Sequence, residues 1–368
     1  MKKFLKRILL ALGGLLFGIL LAEGLARLLL PEPVKQIKLL RMRAPDLQMD
    51  AGTDLKNPNY NPFLQRNPFS EWVCDGKIPE KMNNEGFRDR DFVKEKTPGR
   101  TRIAILGDSF TEGWMGPREA AFPRLLETDL GTGYEILNFG LANRSPLRYL
   151  ALYAQIVRKY HPDIVIVCLY SNDVKEDDDL KSYVQFDAYG VPSHFDYERY
   201  FRHTPRMPQT KWEKRKDRWQ WFFCQHSRLF PYISVAFTVD PEFRHRILDA
   251  APAASFDALW VNTEGYLRTL REIVEGDGSK IILAYAPDLG DFNNPNPLLS
   301  HTKTFADEQK ILCYDASDFL KTTNSASLYI PGDGHFSPEG HRRFENGLAH
   351  SLMPLLRPAV TNAPPAKM

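Results

Sequence analysis

The stretch Ile103-Ala104-Ile105-Leu106-Gly107-Asp108-Ser109-Phe110-Thr111-Glu112-Gly113 decides how this chain folds. Its first four residues are apolar, as in a buried strand, and the glycine after them allows a tight turn into a helix. Ser109 therefore stands where a strand ends and a helix begins. There its N–H lies near the positive end of the helix dipole, where it can bind a developing negative charge. A serine hydroxyl alone is a weak nucleophile, so the chain must supply a base.

The composition is that of an ordinary globular protein. The chain has 368 residues, of which 43% are hydrophobic and 26% charged, and its formal net charge is +2. A charge this small gives no field for capturing nucleic acid, so we expect no nucleic-acid partner. The length suits one large α/β domain with insertions better than several small domains.

The first thirty residues differ from the rest of the chain. They begin with four basic residues, Lys2, Lys3, Lys6 and Arg7. The uncharged stretch that follows, residues 8–22, is shorter than the roughly 20 residues that cross a bilayer, which is typical of a cleaved signal peptide and a secreted protein. Alternatively the helix continues to residue 30, because Glu23 and Arg27 are four residues apart and can neutralise each other. We favour this second interpretation, in which residues 1–30 are an uncleaved single-pass transmembrane helix of the cytoplasmic membrane and the catalytic domain faces the periplasm or exterior.

The remaining chain has three parts: a stalk and cap (31–98), an α/β domain (99–357) and a disordered Pro/Ala-rich tail (358–368). In the domain, short β-branched runs alternate with helical stretches, which predicts a parallel sheet covered on both faces. The expected strands are Arg102–Leu106, Tyr134–Asn138, Asp163–Leu169, Lys280–Ala286 and Ile311–Tyr314. The expected helices are Ala120–Asp129, Leu147–Tyr160, Phe256–Glu275, Leu298–Lys310 and Pro338–Leu356.

An insertion, residues 174–255, interrupts this alternation after the third strand. It is rich in basic and aromatic residues, among them Trp212, Trp219, Trp221, Phe222 and Phe223. Long insertions are often lids or binding surfaces, and one interpretation is that this basic and aromatic segment lies against a membrane or stacks on a sugar. Alternatively, its aromatic residues form the core of a small helical subdomain.

The four cysteines have no metal-ligand spacing, and we expect neither a metal nor a cofactor. Cys168 and Cys313 lie in apolar runs, as core thiols do. Cys74 and Cys224 can pair if the domain folds in an oxidising compartment.

A base is available near the end of the chain, in Pro331-Gly332-Asp333-Gly334-His335-Phe336-Ser337. This segment follows the last expected strand and precedes the last helix, so it lies at the same sheet edge as Ser109. His335 can take the proton from Ser109, and Asp333 can fix the tautomer of the imidazole. We therefore expect Ser109, His335 and Asp333 to act together.

Two further strand ends offer hydrogen-bond donors. Gly140 follows the second strand, where its N–H can approach a ligand closely because no side chain intervenes. Asn172 follows the third strand, and its amide can donate without carrying charge. Together with the Ser109 N–H, these groups are expected to form an oxyanion hole.

In the order serine, glycine, asparagine and histidine at successive strand ends, the chain resembles the SGNH/GDSL hydrolase family. The resemblance covers roughly residues 101–356 without the insertion. It implies a flavodoxin-like three-layer α/β/α sandwich with a mostly parallel five-stranded sheet. It also implies that Ser109 is the nucleophile, that His335 is the base, and that Gly140 and Asn172 complete the oxyanion hole.

The chain departs from the family pattern at two places. Tyr170 stands where the third block has a glycine before Asn172. In the last block the aspartate is three residues before the histidine in the family, whereas here Gly332 has that position and Asp333 is two before His335. Asp333 is still expected to orient His335; the alternative is a Ser-His dyad oriented by a backbone carbonyl.

These residues predict a serine ester hydrolase that forms an acyl-serine intermediate, and the family implies carbohydrate or lipid esters of the cell envelope as substrates. An O-acyltransferase would use the same residues, with a sugar hydroxyl in place of water. A third possibility is an envelope-binding module without catalytic activity. A phosphate-binding protein is disfavoured, because no Gly-rich loop with a lysine follows the first strand.

Three polar residues close to these motifs are not expected to act in catalysis. For Arg88 we expect a surface ion pair, the alternative being a ligand-binding role. For Glu112 we expect an interaction with the helix dipole. His341 is expected at the surface.

Overall fold

The computed structural model describes residues 2–29, 61, 63–66, 68–69, 71–74, 78–197, 199–200, 215, 219, 222–223, 226–230, 233, 255–294, 296–322, 324–331 and 333–356. The chain contains two compact units. One is made of Met1–Gln48 and Asp196–Ala253, and the other of Met49–Phe195 and Ala254–Met368. The expected tail (358–368) and most of the expected stalk lie outside the described residues.

The secondary structure of the larger unit alternates strands and helices along most of the chain. The strands are β1 (Glu71–Cys74), β2 (Ile78–Lys81), β3 (Thr101–Gly107), β4 (Tyr134–Gly140), β5 (Ile164–Leu169), β6 (Val184–Phe186), β7 (Pro192–Phe195), β8 (Lys280–Tyr285) and β9 (Leu312–Asp315). With the amino-terminal helix of the smaller unit counted as α1 (Lys2–Leu29), the helices are α2 (Ser109–Glu112), α3 (Phe122–Leu130), α4 (Pro146–Gln155), α5 (Asp173–Leu180), α6 (Phe256–Gly276), α7 (Pro297–Gln309), α8 (Ser317–Leu320) and α9 (Pro338–Leu352).

The central sheet has the strand order β4-β3-β5-β8-β9, and every neighbouring pair in it is parallel. Numbered within the sheet, this is the order 2-1-3-4-5 of flavodoxin-like folds. The predicted α/β fold with a five-stranded parallel sheet is therefore confirmed. The nucleophile strand β3 lies between β4 and β5, so the carboxyl ends of these three strands meet at one edge.

Apolar residues cover both faces of the sheet. On one face, side chains such as Ile105 and Ile166 join a buried cluster with Phe122 of α3 and Phe344 of α9. Side chains that point to the other face, such as Val165, are also buried, and on that side α4, α5 and α6 pack together. Because both faces are covered, the strands are apolar along their length instead of alternating with polar residues.

The expected elements of the sheet domain are all present, with ends that differ by a few residues. The helix expected over Leu147–Tyr160 stops at Gln155, and a 3₁₀ turn, Val157–Tyr160, follows it. Two short antiparallel hairpins, β1 with β2 and β6 with β7, were not predicted. Strands of three or four residues are too short to show an alternating pattern.

The smaller unit contains α1, in which Glu23 and Arg27 form the expected ion pair, with 2.8 Å between Glu23 Oε1 and Arg27 Nε. The transmembrane helix expected over residues 1–30 is not found: within the described part of the chain, no helix has the length and apolar character needed to cross a bilayer.

Within this unit, the Glu23 carboxylate also binds part of the insertion. It accepts hydrogen bonds from Ser227 Oγ at 2.6 Å, from the Arg228 N–H at 2.7 Å and from the Leu229 N–H at 3.1 Å. Nearby in sequence, Trp219, Phe222 and Phe223 contact one another. Their exposed fractions are 58%, 47% and 45%, so these three rings do not form a buried core.

Cys168 is buried in the sheet and Cys313 is partly buried; both are free thiols. Burial raises the pKa of the Cys168 thiol, which makes it unreactive. The pairing considered for Cys74 and Cys224 involves residue 224, which lies outside the described residues.

Candidate active site

Ser109 is the first residue of α2 and directly follows the turn out of β3. The side chain of Asp108 caps this helix, accepting a hydrogen bond from the Phe110 N–H at 3.0 Å. A Cβ atom at Gly107 would lie 2.0 Å from Thr111 Oγ1, so only glycine allows the helix to turn back so tightly on the strand. The tight turn leaves the Ser109 hydroxyl at the carboxyl edge of the sheet.

The structure brings Ser109, His335 and Asp333 into one hydrogen-bonded chain. His335 Nε2 is 2.7 Å from Ser109 Oγ, and His335 Nδ1 is 2.5 Å from Asp333 Oδ1. An ionised carboxylate can only accept, so Nδ1 carries the proton and Nε2 is free to accept the proton of the serine. This is the arrangement by which an imidazole acts as general base toward a hydroxyl.

A tight turn explains how an aspartate only two residues before the histidine reaches its ring. The Asp333 and Gly334 N–H groups both donate to the Ile330 carbonyl, at 3.2 and 3.1 Å, and Gly334 has a φ of +97°. The Asp333 side chain accepts the His335 N–H at 3.2 Å as well as the ring Nδ1. The spacing that departs from the family pattern is thus compensated by the turn; Gly332 itself lies outside the described residues.

Aromatic rings surround the imidazole. The ring of Phe110 lies 5.0 Å from that of His335, and the half-buried ring of Trp114 lies 6.1 Å away, centroid to centroid. Tyr170, which stands where the family has glycine, packs on Phe110 with 4.2 Å between ring centroids. These rings limit the rotation of His335 and give the site an apolar wall.

Asp108 lies beneath the nucleophile and is fully buried. Its Oδ2 is 3.4 Å from Ser109 Oγ, farther than His335 Nε2, so the imidazole is the preferred acceptor for the serine proton. Burial raises the pKa of Asp108 to about 6. Burial, together with the negative charge of Asp108, also raises the pKa of Asp173, the first residue of α5.

The Gly140 N–H, which was expected in the oxyanion hole, has a partner in this structure. It donates to Asn138 Oδ1 at 2.9 Å and is therefore already bonded. The glycine is required for packing instead: a Cβ atom there would lie 2.4 Å from the backbone nitrogen of Glu112 in α2. Gly140 thus lets the nucleophile helix lie directly against β4.

Three residues farther on, Asn143 has a backbone N–H that is not occupied in this way. The residue has a φ of +54°, in the left-handed region that few residues other than glycine adopt. Among the described residues, no acceptor binds the Asn143 N–H. The sequence motif pointed to Gly140 and not to Asn143. The one sequence feature that could have indicated Asn143 is its residue type, because asparagine tolerates left-handed backbone better than most residues.

Asn172 lies just after β5, the neighbour of the nucleophile strand, as expected. Its Nδ2 donates to Glu176 Oε1 one turn later in α5. An amide nitrogen has two hydrogens, so one remains for a ligand. The structure therefore places Asn172 at the carboxyl edge of the sheet, and among the described residues it makes no hydrogen bond to Ser109.

Two expectations for neighbouring residues were wrong. Arg88 is buried and not at the surface, and its guanidinium donates to the carbonyls of Gly113 and Gly116 at 2.6 and 2.5 Å. It therefore binds the loop that carries Trp114. His341 is also buried, where its Nδ1 accepts the Phe122 N–H at 3.4 Å and burial lowers its pKa to about 3. It is a neutral core residue.

Glu112 is also fully buried, and its carboxylate binds Arg66 and the Ala142 N–H. It therefore does more than compensate the helix dipole, because it contacts the loop after β4.

The family model for GDSL-like lipases and acylhydrolases matches residues 105–343. No curated protein matches the sequence.

Several solved structures are similar at low identity. A G-D-S-L family lipolytic protein from Desulfitobacterium hafniense is 16% identical, with 69% of this chain and 100% of that chain covered and a TM-score of 0.40. A GDSL-like lipase from Bacteroides thetaiotaomicron is 13% identical, with 72% and 93% covered and a TM-score of 0.39. The esterase EstA of a Pseudoalteromonas species is 11% identical, with 69% and 98% covered and a TM-score of 0.40.

At these identities and TM-scores the structural similarities do not bear on the assignment, which depends on the match of the family model to about two thirds of the sequence and agrees with the geometry around Ser109. The chain belongs to the GDSL-like lipase/acylhydrolase family and is a serine ester hydrolase.

Proposed function

We propose that this enzyme hydrolyses acyl esters of a carbohydrate or lipid of the cell envelope through an acyl-serine intermediate. The observation that carries the proposal is the continuous hydrogen-bonded chain from Ser109 Oγ through the His335 ring to Asp333. The half-buried indole of Trp114 beside this chain supports a substrate with an apolar surface, such as a sugar ring face or an acyl chain.

The reaction proceeds in two halves. Ser109 Oγ attacks the ester carbonyl carbon while its proton passes to His335 Nε2, and a tetrahedral oxyanion forms. The oxyanion collapses, the bond to the alcohol oxygen breaks, and the leaving alkoxide takes the proton from His335. A water molecule then gives a proton to His335 and attacks the acyl-serine, forming a second oxyanion. As this oxyanion collapses, the bond from the acyl carbon to Ser109 Oγ breaks, Oγ takes the proton back from His335, and the acid leaves. Asp333 stabilises the imidazolium in both halves.

The oxyanion requires donors that are not already bonded. We assign the Ser109 N–H, the Asn143 N–H and the second amide hydrogen of Asn172 to this role. Two observations support the assignment: Ser109 and Asn143 have backbone N–H groups without an acceptor among the described residues, and Gly140 has one that is occupied.

The location of the enzyme is a proposal that depends on the sequence of the first thirty residues. Four basic residues followed by an uncharged stretch are typical of a segment directed to a membrane, which would place the enzyme outside the cytoplasmic membrane. Protease treatment of intact spheroplasts tests this: digestion of the catalytic domain is expected, and full protection would contradict it.

The experiment that tests the function is active-site labelling. A fluorophosphonate should label the wild-type protein at Ser109, and Ser109→Ala should not be labelled although it stays folded. Chromogenic esters of increasing acyl length, assayed with and without an oligosaccharide, then separate release of free acid from transfer to sugar. A folded wild-type protein that takes no label and cleaves no ester would contradict the proposal and favour a binding module.

A further inference from the structure

We propose that Glu112 and Arg148 are positioning residues that hold the oxyanion loop (residues 141–145) in its active conformation, with residues 63–66 completing the arrangement. This inference rests on the proposed function, since it assumes that the Asn143 N–H binds the oxyanion. The residues involved do not contact the reacting atoms themselves; they act through the backbone of the oxyanion loop.

Glu112 holds one side of the loop. It is the last residue of α2, three residues after the nucleophile, and its side chain is fully buried. Its Oε2 accepts the Ala142 N–H at 2.8 Å, and its Oε1 accepts a hydrogen bond from Arg66 Nη2 at 3.1 Å. The helix that carries Ser109 is thereby connected directly to the loop that carries Asn143.

Arg148 holds the other side. This arginine is fully buried in α4, and its Nη1 donates to the Asn143 carbonyl at 2.6 Å. Its guanidinium also lies over the ring of Phe63, 4.9 Å from the centroid. Phe63 in turn stacks on Phe195, with 4.4 Å between the ring centroids.

The two contacts lie on either side of the peptide group that joins Ala142 to Asn143 and contains the Asn143 N–H. The Ala142 N–H belongs to the peptide group before the one that contains the Asn143 N–H, and the Asn143 carbonyl belongs to the one after it. Both neighbours are fixed by buried charged side chains, so the peptide group between them has little freedom to rotate. Asparagine adopts left-handed backbone more readily than most residues, and the contacts on either side hold Asn143 in that conformation.

Residues 63–66 take part in both contacts although they precede the sheet domain. Arg66 binds Glu112, Phe63 packs on Arg148, and the Arg66 N–H donates to the Gly86 carbonyl at 3.2 Å. Phe63 and Leu64 are buried. This part of the chain is therefore a support for the active site.

A merely structural role for Glu112 would affect stability alone, and a positioning role changes a specific kinetic quantity. A displaced oxyanion donor weakens binding of the transition state and leaves binding of the ground-state ester almost unchanged, so kcat falls and KM does not. It also reduces the preference for a carbonyl oxygen over a carbonyl sulfur, because sulfur accepts hydrogen bonds poorly.

The test compares Glu112→Gln with Glu127→Gln. Glu127 is the control, because it also pairs with an arginine, Arg90, at 2.7 Å and accepts a backbone N–H, that of Ile136 in β4, at 2.9 Å, but neither partner belongs to the oxyanion loop. Each variant is assayed on an acetyl ester and on its thionoester, in which sulfur replaces the carbonyl oxygen. For Glu112→Gln, kcat should fall about 10- to 100-fold with KM nearly unchanged, and the ester-to-thionoester ratio of kcat/KM should fall with it.

Glu127→Gln should lower the melting temperature without moving that ratio. If Glu112→Gln does not fold, Arg66→Gln takes its place, with a smaller effect of the same sign. Wild-type kcat and ratio in a folded Glu112→Gln or Arg66→Gln variant would overturn this inference alone. A wild-type protein that cleaves no ester would instead overturn the proposed function and, with it, this inference.

Discussion

The Nε2 atom of His335 lies 2.7 Å from the Oγ atom of Ser109, although 226 residues separate the two in sequence. Their meeting depends on the parallel sheet, because Ser109 follows β3 and His335 lies in the turn before α9, both at the carboxyl edge of the sheet. The base is further held by Asp333 on one side and by the ring of Phe110 on the other. A folded sheet is thus a precondition of the chemistry.

Asp333→Asn should lower kcat by about 10²- to 10⁴-fold, because an amide no longer fixes the Nδ1–H tautomer or stabilises the imidazolium. The measurement is steady-state hydrolysis of an acetyl ester, with the exposed Asp307→Asn variant as control. Activity near wild type in Asp333→Asn would favour instead a Ser-His dyad oriented by a backbone carbonyl.

Asn143→Gly should retain kcat within about threefold, since glycine keeps the N–H and adopts left-handed backbone without strain. Asn143→Val should destabilise the protein by about 1–3 kcal/mol and lower kcat, because a β-branched residue resists a positive φ. Urea unfolding and ester hydrolysis measure the two effects. Equal loss of activity in both variants would mean that the Asn143 side chain, and not its backbone, is what matters.

Gly140→Ala should severely destabilise the protein or prevent folding, because the new Cβ atom would meet the backbone of α2 at 2.4 Å. Gly265→Ala, in the interior of α6, is its matched control. A Cβ atom there meets nothing within 4 Å, and the free energy of unfolding should rise by about 0.5–1 kcal/mol because alanine is the better helix former. Thermal unfolding compares the two. A stable Gly140→Ala variant would show that α2 can move away from β4.

Asp177→Asn should flatten the pH dependence of the free energy of unfolding between about pH 4 and 7. Burial raises the pKa of Asp177 to about 7 from its ordinary 3.8, so the folded state holds a proton that the unfolded state has lost. The stabilisation is therefore complete below pH 4 and disappears as the pH rises through 7, at most about 1.4 kcal/mol per pH unit. Urea unfolding of the wild type and the variant at the two ends of this pH range gives the change in the free energy of unfolding for each protein. An identical pH dependence in the two proteins would contradict the raised pKa.

Much of the fold was predictable, because β3, β4, β5 and β8 are apolar along their length and alternate with helices. The triad was also predictable, since Ser109 and His335 follow strands in sequence motifs. The hydrogen bond that occupies the Gly140 N–H was not predictable, because it depends on the direction of the Asn138 side chain, which only the folded structure determines.

The buried positions of Arg88 and His341 were missed for a related reason. Charged and polar residues are usually exposed. Nothing in the local sequence indicates that backbone carbonyls bind Arg88 or that a backbone N–H binds His341. Such positions follow from the tertiary packing around α2 and α9.

The contact between Arg66 and Glu112 has a consequence for exchanging parts between homologous enzymes. A chimera that takes residues 105–343 from this chain and everything earlier from another would inherit the whole triad. It would nevertheless leave the buried Glu112 carboxylate without the Arg66 guanidinium, which costs more stability than the absence of both charged groups. Grafts that begin before residue 63 should behave as functional enzymes, and those that begin at the first central strand should not.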